Sequence, residues 1–167
     1  MAGMAFVAKF KNNYYFLFGR ENKYALQKYL YSDFGGHQEN NETLKITAIR
    51  EGYEETSGML GNIGVYKRLL EKDLVKTYSL PKKDGGYTTY LVNIKYDKKI
   101  PFYHNNLFNF VNRNKHDLVQ NQENGLFEKD RLRWFSIQEL KTEKDMFRPF
   151  YVKILNQIIK DYDNIKP

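Results

Sequence analysis

The sequence contains no cysteine, a single tryptophan and no apolar run approaching the ~18 residues that a bilayer-spanning helix needs. The first absence excludes disulfides and thiolate zinc sites, and it suits a reducing compartment. The last excludes a membrane helix, and Met1 to Val7 lacks the basic segment that would precede a secretory apolar stretch. A soluble, intracellular, cytoplasmic protein with no membrane partner is expected. Internal repeats and linker-like stretches are also missing, so the 167 residues read as one domain, 1–167, large enough to bury its own core.

Forty-one per cent of the residues are apolar and 16% aromatic, which calls for a folded globule rather than a solvated chain. A formal charge of +7 points to a polyanionic partner, and nucleotides and RNA both qualify. A DNA duplex is not expected.

The most informative stretch runs from Gly36 to Ser57 and reads GHQENNETLKITAIREGYEETS. On a helix, Glu51, Glu54 and Glu55 are three and four residues apart and share one exposed face. Carboxylates that close repel one another unless a cation, an arginine or both neutralise them, and Mg²⁺ or Mn²⁺ with oxygen ligands is the natural candidate. Gly35 and Gly36 precede the helix, where backbone amides can approach phosphate oxygens with no side chain in the way.

Alternating elements surround this stretch. Ala5 to Phe10 and Tyr14 to Arg20 read as a hairpin, and Tyr24 to Phe34 carries a further strand into the glycines. The helix covers Thr43 to Ser57, with Leu44, Ala48, Ile49 and Gly52 turned inward, opposite the acids. Leu74 to Leu80 and Tyr87 to Tyr96 form a second hairpin around the turn from Pro81 to Gly86. Pro101 to Val111 suits a short helix, Asn112 to Gly125 a loop, and the whole of 97–125 reads as an insertion. Its aromatic patch, Phe102, Tyr103, Leu107, Phe108 and Phe110, serves either as a contact surface or as a local core. Arg131 to Ser136 returns to strand with Trp134 as the core residue, Ile137 to Leu140 starts a turn of helix, and Phe147 to Tyr162 closes as an amphipathic helix.

Gly36, Glu42, Arg50, Glu51, Glu54 and Glu55 sit at the spacings of G-x5-E-x7-R-E-U-x-E-E-x-G-U, where U is bulky and apolar. The stretch thereby resembles the box of the Nudix hydrolases. Two positions depart: Gly52 replaces the first U, and Ser57-Gly58 replaces the closing Gly-U pair, so that Gly58 is expected to supply the left-handed cap one residue later. Glu128, a few residues before Trp134 and Phe135, followed by Glu139-Leu140, is similar to the family's late strand and turn.

The resemblance implies an α/β (α+β) fold, a mixed β-sheet sandwiched between helices, and hydrolysis of a nucleoside diphosphate linked to a group X. It implies that Glu51, Glu54 and Glu55 coordinate or orient Mg²⁺ or Mn²⁺, with the Gly35 carbonyl and Glu128 as further metal ligands. Arg50 is expected to hold Glu42 or Glu54, and either Glu51 or Glu128 to act as base. Gly36, His37, Arg20 and Arg133 are the candidate substrate contacts, and Glu123 shares with Glu128 a candidacy as distal metal ligand. The substrate is either the 5′ cap of an RNA or a free nucleotide compound: a nucleoside triphosphate, dinucleoside polyphosphate, ADP-ribose or inositol pyrophosphate. Lys82, Lys83, Arg131 and Arg133 favour the first. A catalytically silent nucleotide-binding module is the third reading, and the complete set of box residues weighs against it.

Overall fold

A computed structural model describes residues 1–121 and 125–165, and the expectation for Glu123 lies outside the described residues. Its chain order is β1 (Ala2–Phe10), β2 (Asn13–Glu21), β3 (Tyr31–Ser32), β4 (Phe34–Gly36), α1 (Leu44–Glu55), α2 (Ile63–Lys72), β5 (Leu74–Ser79), β6 (Thr88–Asn93), α3 (Lys99–Asn114), α4 (His116–Gln120), β7 (Lys129–Ser136), α5 (Ile137–Thr142) and α6 (Pro149–Asp161).

β1 organises the mixed sheet. One edge runs parallel to β6, and the other is shared: Phe6 to Phe10 pair antiparallel with β2, while Ala2 to Met4 pair antiparallel with β4. The first hairpin is therefore present; β2 continues outward to β7, and its end at Gly19 and Arg20 pairs with β3 on the edge it shares with β1. β5 and β6 form the second antiparallel pair. Strand alternation sorts β1 between two cores. Ala5 and Val7 pack with Phe16, Phe18 and the Tyr151, Ile154, Leu155 and Ile158 face of α6. Met4 and Phe6 pack with Leu17, Ala48, Tyr66 and Leu70 on the α1 and α2 side. A mixed sheet between helices is what the residues build.

Several local expectations change. Tyr24 to Phe34 is not one strand: turns occupy Tyr24 to Tyr29, and Asp33 separates β3 from β4 by diving into the core. There its carboxylate accepts from Tyr87 Oη (2.8 Å) and Thr89 Oγ1 (2.7 Å). α2 is an element that the sequence reading lacks, although Tyr66 and Leu70 give it a buried face at helical spacing. The stretch expected to be a loop from Asn112 instead extends α3 to Asn114 and adds α4. In β7 it is Phe135 that is wholly buried, whereas Trp134 stands at the edge, tilted against Tyr96 and donating Nε1–H to the Asp97 carbonyl (3.0 Å).

At the end of α1 Gly58 takes the expected left-handed conformation, at φ 65°, and the residue before it does so too. The Ser57 amide bonds to the Glu54 carbonyl and the Gly58 amide to the Tyr53 carbonyl, both at 2.9 Å, which is a Schellman ending. Ser57 itself takes the left-handed position, at φ 52°. A side chain there costs about 1 kcal/mol relative to glycine. Ser57→Gly is expected to raise stability by about 0.5–1 kcal/mol in denaturant unfolding, and a drop in stability would contradict the assignment.

Candidate active site

The loop between β4 and α1 folds back onto the helix through Glu42. Its carboxylate accepts from Thr47 Oγ1 (2.9 Å) and the Glu39 amide (3.0 Å). It also receives Arg50 on both oxygens, Nε at 2.9 Å and Nη2 at 3.1 Å. The same guanidinium reaches Glu51 and Glu54 through Nη1, each at 3.0 Å, and the His37 carbonyl through Nη2 at 3.0 Å. One planar fork of donors thus binds three carboxylates and pins the loop. Arg50 hydrogen bonding drives the Glu42 pKa down to about 2. Glu42 and Glu54, the alternative partners expected for Arg50, are both engaged.

The acids do not share an exposed face. Glu51 is 9% and Glu55 2% exposed, because α1 rests directly on β1: a Cβ at Gly52 would stand 3.0 Å from Met4 Sδ. That close approach turns Glu51 and Glu55 into the seam beside β4 and β7. A side chain at Gly36 would collide with the Glu51 carboxylate, and one at Gly35 with the Tyr87 hydroxyl and the Gly3 backbone. Both glycines are thus demanded by packing. Burial raises the Glu51 pKa to about 7, against the opposing charge of Arg50. It also raises Glu54 against the Arg50 hydrogen bond, and Glu128 against Lys129.

Lys129 is the central residue that sequence reasoning missed. Its side chain is fully buried, with Nζ 2.5 Å from Glu21 Oε1, 3.1 Å from Glu55 Oε1 and 3.2 Å from Ser32 Oγ. Arg148 Nη1 adds a second cation to Glu21 at 3.0 Å. Burial alone would lower the pKa of the ammonium, but the Glu21 and Glu55 charges outweigh it and raise the group above the ordinary lysine value, so it stays protonated. Burial pushes Glu55 upward, with Lys129 opposing. Glu55 Oε2 is buried and has no hydrogen-bond partner among the described residues.

A cleft of about 570 Å³ opens beside this cluster. Its lining includes Gly35, Gly36, His37, Glu55 and Glu128 together with Tyr24, Leu26, Tyr87, Phe150 and Arg148. Glu51 and Glu54 are not part of this lining and are tied to Arg50. Arg20 and Arg133 do not reach the cleft. Arg20 is spent on Asp130 in a two-pronged pair (2.8 and 2.9 Å), and Arg133 on Glu139 (2.7 Å) and Glu143 (2.8 Å). Arg148 instead supplies the cationic side chain of the lining.

The sequence matches no family model and no curated protein. Solved structures nevertheless match almost end to end. A Nudix hydrolase from M. smegmatis has a TM-score of 0.55 at 14% identity, over 98% of this chain and 86% of that one. A C. elegans Ap4A hydrolase binary complex gives 0.56 at 15% identity, over 98% and 96%. The chain has the Nudix fold. A bifunctional NMN adenylyltransferase/ADP ribose pyrophosphatase from Francisella tularensis, complexed with AMP and a Mn ion, gives 0.52 at 16%, over 96% of this chain and 42% of that one.

Within the Nudix fold, the acid set suits a hard divalent cation. The donors are all oxygens, and Glu55 Oε2 is an orphaned buried acceptor beside the cleft. As built, the acids are held by Arg50 and Lys129, and among the described residues no group of three His, Asp or Glu side chains converges at ligand distance. No described helix is long and apolar enough to cross a membrane.

Asp33, beneath Gly35, gives a pH signature. Burial raises its pKa to about 7, while the hydrogen bonds from Thr89 and Tyr87 oppose the shift. The unfolded chain ionises it near ~4, so between these values the folded state holds the extra proton. Its contribution to stability is fully present below ~4 and is lost as pH rises through about 7. Asp33→Asn is expected to flatten the fall in stability over that window, measured by urea unfolding at stepped pH. An unchanged slope would contradict the assignment.

Proposed function

We propose that the protein is a divalent-metal-dependent hydrolase that cleaves the diphosphate bond of a nucleoside diphosphate linked to another group X. One observation carries this reading: Glu55 presents a free carboxylate oxygen beside a cleft that also offers aromatic rings and an arginine. Glu51, Glu54, Glu55, Glu128 and the Gly35 carbonyl would hold Mg²⁺ or Mn²⁺, which when bound neutralises phosphate oxygens and acidifies water. Arg50 aligns Glu51 and Glu54. Glu51 or Glu128 would act as the base that takes the proton from the attacking water. Tyr87 and Phe150 would offer an apolar wall for a base, while Gly36, His37 and the part of Arg148 not taken by Glu21 and Gln27 would be the groups available to phosphate.

Two identities of X have support. A small nucleotide such as a dinucleoside polyphosphate or ADP-ribose fits a cleft of about 570 Å³, and the C. elegans and Francisella proteins of this fold are named for Ap4A and ADP-ribose. An RNA 5′ end, removed as in decapping, fits the +7 charge. Incubating cap-labelled RNA beside a panel of free nucleotides, with Mg²⁺ or Mn²⁺, separates them. Release of labelled nucleoside diphosphate from long RNA alone supports decapping, preference for free nucleotides supports the small substrate, and no cleavage of either overturns the reaction.

A further inference from the structure

α3 presents two unlike faces. Ile100, His104 and Phe108 are buried on the inner one, and Asn105 Oδ1 accepts the Leu132 amide of β7 at 2.9 Å. The outer face is neither core nor ordinary polar surface: Phe102 is 63%, Tyr103 51% and Phe110 62% exposed. Of the aromatic patch noted in the sequence, only Phe108 is buried and Leu107 half-buried. Phe102 and Tyr103 meet edge to face, with centroids 5.6 Å apart. Phe110 lies two turns further on, about 12 Å along the axis.

The charge along the helix itself has one sign, with Asp97 and Asp117 just outside it. From Lys98 to Lys115 the chain carries Lys98, Lys99, Arg113 and Lys115 and no carboxylate. All four cations are exposed, and none is ion-paired among the described residues. Lys98 and Lys99 stand at one end of the exposed rings and Arg113 and Lys115 at the other.

We infer that the outer face of α3 is a docking platform for single-stranded RNA. Unpaired bases stack on exposed rings whatever their sequence, and flanking cations track the backbone. Duplex bases are already stacked and cannot use the rings. A second copy of the chain fits worse: pairing this face with itself would set lysine and arginine against lysine and arginine with no acid between. The inference rests on the reading of the cleft as a diphosphate hydrolase with an RNA-linked X, and it supplies the grip on the body of that RNA.

The test uses a fluorescein-labelled 12-nucleotide single-stranded RNA and anisotropy, which needs no hydrolysis. The triple variant Phe102→Ala, Tyr103→Ala, Phe110→Ala is expected to weaken binding at least ~10-fold, with an unchanged circular-dichroism spectrum and melting temperature. Replacing Lys98, Lys99, Arg113 and Lys115 by glutamine should weaken binding and shallow its salt dependence, by about 0.7 in log–log slope for each phosphate that is no longer neutralised. Glu55→Gln should bind this RNA normally, so a failed reaction and a failed platform give different results. Undiminished RNA binding by a folded triple variant, or equal affinity for the matching duplex, would overturn the proposal. So would a dimer in solution that the triple variant dissolves.

Discussion

Replacing Glu55 by glutamine is expected to lower turnover of a nucleoside-diphosphate-linked substrate by about 10³-fold while the protein stays folded. The change removes one charge without changing shape, and Lys129 keeps its 2.5 Å contact with Glu21. The group removed is the carboxylate whose Oε1 faces Lys129 and whose Oε2 is without a partner. Steady-state kinetics with Mg²⁺ and with Mn²⁺ measures it. A folded variant with unchanged kcat would remove Glu55 from the chemistry.

The second large effect concerns Lys129. Methionine there conserves much of the length of the stem but deletes the cation that buried Glu21 and Glu55 share. Arg148 still holds Glu21, so Glu55 is the acid that loses its cation, and breaking a buried pair in this way costs about 3–5 kcal/mol. In a chain of this size that lowers the melting temperature by roughly 10 °C. A divalent ion would then meet acids with one less competing positive charge nearby. Melting with and without Mn²⁺ should therefore show a lower metal-free midpoint for Lys129→Met and a larger metal-induced rise than in the unaltered protein. An unaltered midpoint, or a smaller rise, would contradict the role given to this ammonium.

These residues also show how far the sequence could be read. The grouping of Glu51, Glu54 and Glu55 was legible because a helix fixes neighbours three and four apart, and the tie from Arg50 to Glu42 or Glu54 followed from the resemblance to the Nudix box. The hairpin of β1 and β2, the pair of β5 and β6, and the closing α6 followed from strand and helix periodicity. The burial of the acids was not legible, because helical spacing gives a direction around the axis but not which directions the sheet covers. Lys129 and Glu21 are 108 residues apart, and Asp33 and Thr89 are 56 apart. Only the register of the sheet brings them together, and no local pattern announces it. Arg20 and Arg133 stand out in the sequence by charge alone, and charge does not reveal that Asp130, Glu139 and Glu143 already hold them.

His104 is equally silent in the sequence. It is 1% exposed on the inner face of α3, and burial lowers its pKa to about 4, opposed by Asn105 and the Glu55 backbone. It is therefore a neutral side chain packed behind the acids near neutrality.

Hydrolysis of a dinucleoside polyphosphate and of capped RNA in ¹⁸O-labelled water, with Mg²⁺ or Mn²⁺ and then with chelator, tests the central claim most directly. Metal-dependent cleavage with one ¹⁸O atom in a phosphate-bearing product is the predicted result. No cleavage of either substrate with either ion, or cleavage that persists in chelator, would contradict it.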